Sequence, residues 1–393
     1  MKTKRSWRSS VSDHRIMHKR LEDELAALRE QDQFRELLIP VGIDLGSNDY
    51  LGLSSDPRLK EAIIRAVDRD RRVASTGSRL LSGNSERWEA LEAEFAEFLG
   101  TEAALYFPSG YAANIGLLTS LLKRTDTVFS DSSNHASIID GIRLSFARKV
   151  GFPHLNLDYL ESAMKRATGG QRVVVVESVF SMEGDRAPLP DLVALCDRYG
   201  AALIVDEAHS IGVDGSQGRG MLASIGRPDT VLASINTCGK ALAAMGAFVA
   251  GSRTLRDFLV NRARTFIFTT ALPPYCAAHI HESLKLACEA DAARARLREL
   301  SEYLRRNLKA AGFDTGRSDS QIVPLVLGSN EAALRFAASV SAAGFAIRAI
   351  RPPTVPAGTA RLRLSLNAKL SFANLDAVTQ SLVAARDSEV VRQ

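Results

Sequence analysis

Four short apolar runs punctuate the middle of this chain: residues 103–107 (AALYF), 172–179 (RVVVVESV), 201–205 (AALIV) and 230–234 (TVLAS). Between them, at 112–122 and 189–199, apolar side chains recur every three or four residues, the spacing of a helix with one buried face. Strands apolar on both faces and joined by helices predict a parallel sheet covered on both sides. Upstream, Ile16, Leu21, Leu25 and Leu28 recur among charges and predict an amphipathic helix over 14–38. Residues 43–53 (IDLGSNDYLGL) read as a strand that runs into a turn rich in Gly, Asn and Asp. A helix over 85–99 begins beyond SGNS and stops at Gly100. From about Ala277 a long helix leads to a smaller α+β region that ends near Ala385. The expected architecture is α/β in three parts: an N-terminal arm (1–56), a large domain with a mainly parallel sheet (57–290) and a C-terminal α+β domain (291–393).

Composition narrows the classes. At 393 residues the chain can bury a large core. No window holds 18 uninterrupted apolar residues, so no membrane span is expected. The basic first residues lack the apolar segment of a secretory signal. Four scattered cysteines, Cys196, Cys238, Cys276 and Cys288, form no CxxC pair and read as reduced thiols of a cytoplasmic protein. The net charge of +5 is spread among acids and brings no nucleic-acid motif with it. No metal and no nucleic-acid partner are expected.

Ligands of an open parallel sheet sit at the carboxyl ends of its strands, and there the out-of-place polar residues fall. After 103–107 come Ser109, Gly110 and Tyr111; after 172–179 come Ser181, Glu183 and Asp185; after 201–205 come Asp206 and His209; after 230–234 come Thr237, Gly239 and Lys240. Singly, each has an ordinary explanation. Ser109 and Asp206 could be helix caps, His209 a core histidine and Lys240 a surface charge. Together they answer one need, that of pyridoxal 5′-phosphate (PLP). That cofactor requires a lysine amine, an acid facing the pyridine nitrogen, donors for phosphate and phenolic oxygen, and a flat group against the ring. Lys240 supplies the amine, Asp206 the acid, His135 the flat face, Thr237 and the amides of residues 110 and 111 the phosphate donors.

The chain also resembles, from about residue 15 to residue 385, the α-oxoamine synthases, a branch of the fold-type I PLP enzymes. The resemblance lies in 47–53 (SNDYLGL), 107–114 (FPSGYAAN), 134–137 (NHAS), 177–185 (ESVFSMEGD), 206–209 (DEAH), 239–240 (GK) and 351–363 (RPPTVPAGTARLR). It implies that Lys240 is the Schiff-base lysine and the base and acid at Cα, with His135 stacked on the ring and Asp206 at its nitrogen. It implies that Ser181 and His209 hold the phenolic-oxygen side, and that Gly110, Tyr111 and Thr237 surround the cofactor and its phosphate. Asn48, Thr354 and Arg363 would line the amino-acid and acyl side, joined by Arg35 from the arm. Thr269 and Thr270 look like phosphate ligands given across the interface of a homodimer.

Within that family, 351–363 looks most like the branch that condenses L-alanine with a pimeloyl thioester, on CoA or an acyl carrier protein, with loss of carbon dioxide. Sister reactions joining glycine with acetyl-CoA, or serine with a long acyl-CoA, would use nearly the same residues. The 351–363 stretch and His135 argue against an aminotransferase or a lyase. The chain departs from the family pattern at Cys238, where an aromatic residue or leucine is usual, and at Ala243 and Ala244, where glycines are usual. These departures bear on substrate fit and leave the cofactor chemistry intact.

Overall fold

The computed structural model describes residues 10–390 except Arg71, Arg227 and Pro228. Its centre is a seven-stranded sheet: β1 (Ala103–Phe107), β2 (Thr127–Asp131), β3 (Arg148–Phe152), β4 (Arg172–Glu177), β5 (Ala201–Asp206), β6 (Val231–Thr237) and β7 (Ala247–Gly251). In space the order is β1-β7-β6-β5-β4-β2-β3, and only β7 runs antiparallel to its neighbours.

Strand β4 shows why the sheet is covered twice. Val173 and Val175 enter one core with helices Gly110–Leu121, Ala136–Ser145 and Arg253–Arg262. Val174 and Val176 enter the opposite core with helices Leu157–Arg166 and Leu189–Tyr199. Alternate side chains point to opposite faces of a strand, so a run of valines serves both. Each fully buried valine contributes roughly 1.5–3 kcal/mol.

The C-terminal part holds a smaller antiparallel sheet of β8 (Ile322–Gly328), β9 (Ala349–Ile350) and β10 (Ala360–Ser365), in the order β9-β10-β8. The arm joins it: Ile43 and Asp44 pair in parallel with Phe345 and Ala346, and the Ser365 amide donates to Leu45 O at 2.8 Å. Leu45, Tyr50 and Leu51 share one continuous core with Leu297, Leu325 and Leu364. The arm thus pairs with the C-terminal part and carries Tyr50 to His209 of the large domain.

Three expectations need correcting. The N-terminal helix runs Ser10–Glu30 and stops well before residue 38. Asp32 turns into left-handed backbone at φ 53°, and the following Leu37-Leu38-Ile39-Pro40 lacks helical spacing and ends in a residue that disfavours helix before it. The predicted strand over 43–53 is only Ile43–Asp44, after which Asp49 accepts from the amides of Leu53 and Ser54 in a run of turns. The long helix from Ala277 is two, Pro274–Cys288 and Asp291–Ala310. Among the described residues no helix is long and apolar enough to cross a membrane.

Candidate active site

The carboxyl ends of β1, β2, β4, β5 and β6 enclose a cleft of about 250 Å³ lined by Gly110, Tyr111, His135, Glu177, Asp206, His209, Thr237 and Lys240, among others. Seven of these eight were singled out in the sequence. Each arrives there because a strand ends beside the sheet's topological reversal and its last polar residues project past the edge.

One wall is the start of helix Gly110–Leu121. Ser109 Oγ accepts from the Ala112 amide at 3.1 Å, and Ser109 O accepts from the Ala113 amide at 3.0 Å. Ser109 is therefore the N-cap, and among the described residues the amides of Gly110 and Tyr111 keep no protein acceptor. That is the arrangement of an anion site at a helix N-terminus. A Cβ on Gly110 would lie 2.6 Å from Thr237 Cγ2, so glycine there lets Thr237 close against the helix start. The Tyr111 ring stands edge-on to His135 at 6.3 Å and donates its hydroxyl to Asp140.

Asp206 forms the floor. Its Oδ2 accepts from Asn114 Nδ2 at 2.7 Å and its Oδ1 from the Ala208 amide at 2.9 Å. Asn114 also donates to Ser137 Oγ, which meets His135 Nδ1 at 2.7 Å. The Ser137 amide donates to the same Nδ1 at 3.2 Å. Burial, partly offset by Asp206, lowers the pKa of His135 and favours the neutral ring. His135 is thereby held in the cleft as an uncharged ring fixed by Ser137.

From Lys240 a relay leads to the C-terminal sheet. Lys240 Nζ meets His209 Nε2 at 2.7 Å, and His209 Nδ1 meets Tyr50 OH at 2.6 Å. Tyr50 OH donates to Asn48 Oδ1 at 3.1 Å, and both terminal nitrogens of Arg363 donate to that same oxygen at 3.1 Å. Burial pushes the Lys240 amine down to about 8, against the pull of Asp206 and Glu177. His209 falls well below 6.5, through burial first and then the charges of Lys240 and Arg363.

Sequence reasoning missed Glu177, Tyr50 and Asn114. Glu177 is 2% exposed and in register with Asp206 across β4 and β5. Its Oε1 accepts from the His135 amide at 2.6 Å and its Oε2 from the Ser181 amide at 3.3 Å. Burial and then Asp206 raise its carboxyl to about 8. A carboxylate that ends a run of valines was the visible signal; its two backbone partners lie 42 and 4 residues away.

Other expected residues lie off the cleft. Among the described residues, Ser181 is tied to it through its amide to Glu177 and through its carbonyl, which accepts from Arg363 Nε. Arg35 and Thr354 meet each other, Nη2 to Oγ1 at 3.5 Å, outside the cleft lining. Thr269 and Thr270 line a separate hollow with Arg79, Trp88 and Tyr106.

Known proteins decide the family. Residues 40–382 match the family Aminotransferase class I and II. The chain belongs to that family. It is 45% identical over 376 residues to 8-amino-7-oxononanoate synthase of Geobacter sulfurreducens, spanning 92% of this chain and 96% of the relative. It resembles the crystal structure of 8-amino-7-oxononanoate synthase from Francisella tularensis, with a TM-score of 0.78, 30% identity and coverage of 89% and 99%. It also resembles serine palmitoyltransferase of S. paucimobilis, solved with PLP and myriocin bound, with a TM-score of 0.87, 30% identity and coverage of 98% and 100%. The α/β fold expected from the sequence and its likeness to the α-oxoamine synthases are borne out.

Proposed function

We propose that this chain is a PLP-dependent acyltransferase. It would join L-alanine to a pimeloyl thioester and release carbon dioxide, free thiol and 8-amino-7-oxononanoate, in the making of biotin. The observation that carries the proposal is the relay from Lys240 through His209, Tyr50 and Asn48 to Arg363, which links the amine in the cleft to a buried guanidinium behind it. The 45%-identical relative, an 8-amino-7-oxononanoate synthase, adds support to it.

The residues present fit PLP. Acceptor-free amides and Thr237 stand at one end for a phosphate, and the buried Asp206 carboxylate stands at the other for a ring nitrogen. When bound, PLP supplies an electron-poor ring that draws off negative charge left at the amino acid's Cα. Asp206 favours a protonated ring nitrogen, as a close opposite charge does. His135 would cover one ring face and neutral His209 would meet the phenolic-oxygen side, with Ser181 set behind Glu177 off the cleft lining. Lys240 anchors the cofactor and moves the Cα proton; a pKa near 8 leaves part of its amine neutral at working pH. Arg363 takes the substrate carboxylate in a planar two-point contact, with Asn48 and Tyr50 holding the guanidinium in place.

The acyl side favours a chain that ends in an acid. Arg35 lies beside Thr354, and Arg351 anchors to the carbonyls of Asp32 and Phe34 in the same corner. Burial and then the nearby charge of Arg35 lower the pKa of Arg351, so two cations lie close together at this corner. A pimeloyl chain carries a terminal carboxylate to meet them, and a palmitoyl chain does not. Thiol release with alanine, glycine and serine, each against pimeloyl-, acetyl- and palmitoyl-CoA, tests the assignment. Alanine with pimeloyl-CoA is expected to be fastest; serine with palmitoyl-CoA would give the serine palmitoyltransferase reading instead. Pimeloyl on an acyl carrier protein belongs in the same series.

Two further parts of the proposal concern assembly. Thr269 and Thr270, in a hollow of their own, are assigned to the phosphate of a neighbouring site in a homodimer. Leu37, Ile39 and Val41 of the arm, 105%, 88% and 79% exposed, suit burial against the second copy. We keep the three-part division at residues 56 and 290, and place the protein in the cytoplasm with small-molecule substrates and no nucleic acid.

A further inference from the structure

A second histidine network lies outside the cleft. His154 follows β3, with its ring edge-on to Phe180 at 4.4 Å. Its Nδ1 donates to Asp131 Oδ1 at 2.9 Å, and its Nε2 donates to Asp185 Oδ2 at 3.0 Å. Carboxylates at both ring nitrogens require the doubly protonated imidazolium. Asp131 and Asp185 are 1% and 5% exposed, so both carboxylates are buried against a partly buried ring.

Each aspartate controls a loop. Asp131 ends β2 and accepts from the amides of Ser133 at 2.8 Å and Leu155 at 2.9 Å, which fixes the turn leading to His135. Asp185 closes the loop that opens at Ser181: its carbonyl accepts from the Phe180 amide at 3.0 Å, and Phe180 O accepts from the Gly184 amide at 2.9 Å. From the far side, Arg361 in β10 donates to Met182 O at 3.1 Å and Glu183 Oε1 at 3.3 Å, and Arg363 donates to Ser181 O. The 180–185 loop is therefore gripped between His154 and the two arginines of the C-terminal sheet.

We propose that His154 is a positioning residue whose imidazolium, clamped between Asp131 and Asp185, sets the distance between the loop bearing His135 and the loop bearing Ser181. Through the Ser181 carbonyl it also seats Arg363. The proposal rests on the functional reading above only for what His135 and Arg363 do. Glu177 ties the same two loops at the cleft floor, and His154 is the brace on the outside. Glu177 lines the cleft, whereas His154 is absent from its lining and acts through the two loops.

The groups facing His154 are Asp131 at the end of β2, with Asp185 and Glu183 in the loop after β4; Glu183 is itself paired with Arg361. Burial pushes the imidazole down, but hydrogen bonds and charge from both aspartates outweigh it and raise the pKa to about 10. A folded-state pKa above the ordinary 6.5 means that the clamp stabilises the fold fully below about pH 6.5. That contribution is lost as pH rises towards 10.

The test uses the PLP-loaded, full-length protein. In proton–nitrogen spectra at pH 8.5, one of the seven histidines should stay doubly protonated and vanish from the spectrum of His154→Gln. No such signal in the wild type would overturn the proposal, whether or not a variant folds. The second arm is His154→Gln/Asp185→Asn, which removes one carboxylate along with the imidazolium and leaves Asp131 its two backbone amide donors. There, PLP affinity should fall about tenfold, and the visible circular dichroism of bound PLP should change. Wild-type affinity and wild-type dichroism in a variant that is merely less stable would reduce His154 to a fold staple. These readouts need no acyl substrate, so a failure of the alanine–pimeloyl assignment leaves them unchanged.

Discussion

Two histidines, the buried His209 and the partly buried His154, sit in networks that treat charge in opposite ways. Around His209 the charges are mismatched: the imidazole is pushed well below 6.5, the Lys240 amine down to about 8, and the Glu177 carboxyl up to about 8. Around His154 they are matched, and the imidazole rises to about 10 between two aspartates. The polar groups differ in the same sense. Both oxygens of Asp131 and of Asp185 are engaged with His154 or backbone amides. In the cleft Asn114 Oδ1, beside Asp206, is buried without a hydrogen-bond partner among the described residues, as is Glu183 Oε2 at the edge of the His154 network. A perturbed pKa alone does not locate chemistry. Direction does better: a site that awaits a charged visitor holds its own groups short of their preferred states, and a brace satisfies them.

The largest expected effect falls on the mismatched side. Asp206→Asn keeps an acceptor for the Ala208 amide but removes the charge proposed to face the ring nitrogen. Exchange of the alanine Cα proton in deuterated water should slow by at least about two orders of magnitude, comparable to losing one strong preorganised contact. Thermal stability and PLP content should stay close to wild type. Exchange at the wild-type rate would leave Asp206 as the helix cap that sequence alone also allowed.

Arg363→Ala comes next. A carboxylate contact present in ground and transition states acts on KM more than on kcat. Loss of roughly 2–3 kcal/mol would raise the KM for alanine about one to two orders of magnitude. A kcat/KM within twofold of wild type would pass the role to Arg361, two residues earlier in β10.

The pH dependence of cofactor capture sharpens the contrast further. Only the neutral amine attacks, and burial lowers the Lys240 pKa to about 8. The rate at which the apoprotein turns yellow with PLP should therefore rise about tenfold between pH 7 and pH 9 and then level off. A rate still climbing at pH 10 would describe an ordinary exposed lysine.

The smallest effect belongs to a departure noted in the sequence. Ala243 adopts φ 46°, the left-handed region in which glycine is at ease. Ala243→Gly should raise stability by about 1 kcal/mol or less, since strain of roughly 1–2 kcal/mol is relieved and some chain entropy is lost. A denaturant midpoint reads the sign.

Much of this was legible before the fold. The valine run of β4 announced a strand buried on both faces, and the polar residues after β1, β5 and β6 stood where a parallel sheet binds ligands. Strands β2, β3 and β7 were not read as strands. The edge strand β3 (RKVGF) is mostly exposed and lacks the apolar signal. The arm misled for a related reason: Ile16, Leu21 and Leu25 keep helical spacing but remain 67%, 48% and 43% exposed, and the pattern does not mark where the helix stops. In the site, Glu177 and Tyr50 escaped because their partners, the His135 amide and His209, are 42 and 159 residues distant in sequence. Only folding makes them neighbours.

The central claim is that Lys240 carries the cofactor. Borohydride reduction of the yellow protein, followed by peptide mapping, tests it most directly. The account predicts a single pyridoxyl label on Lys240, in the peptide that also contains Thr237 and Cys238. A label on any other lysine, with Lys240 unmodified, would contradict it.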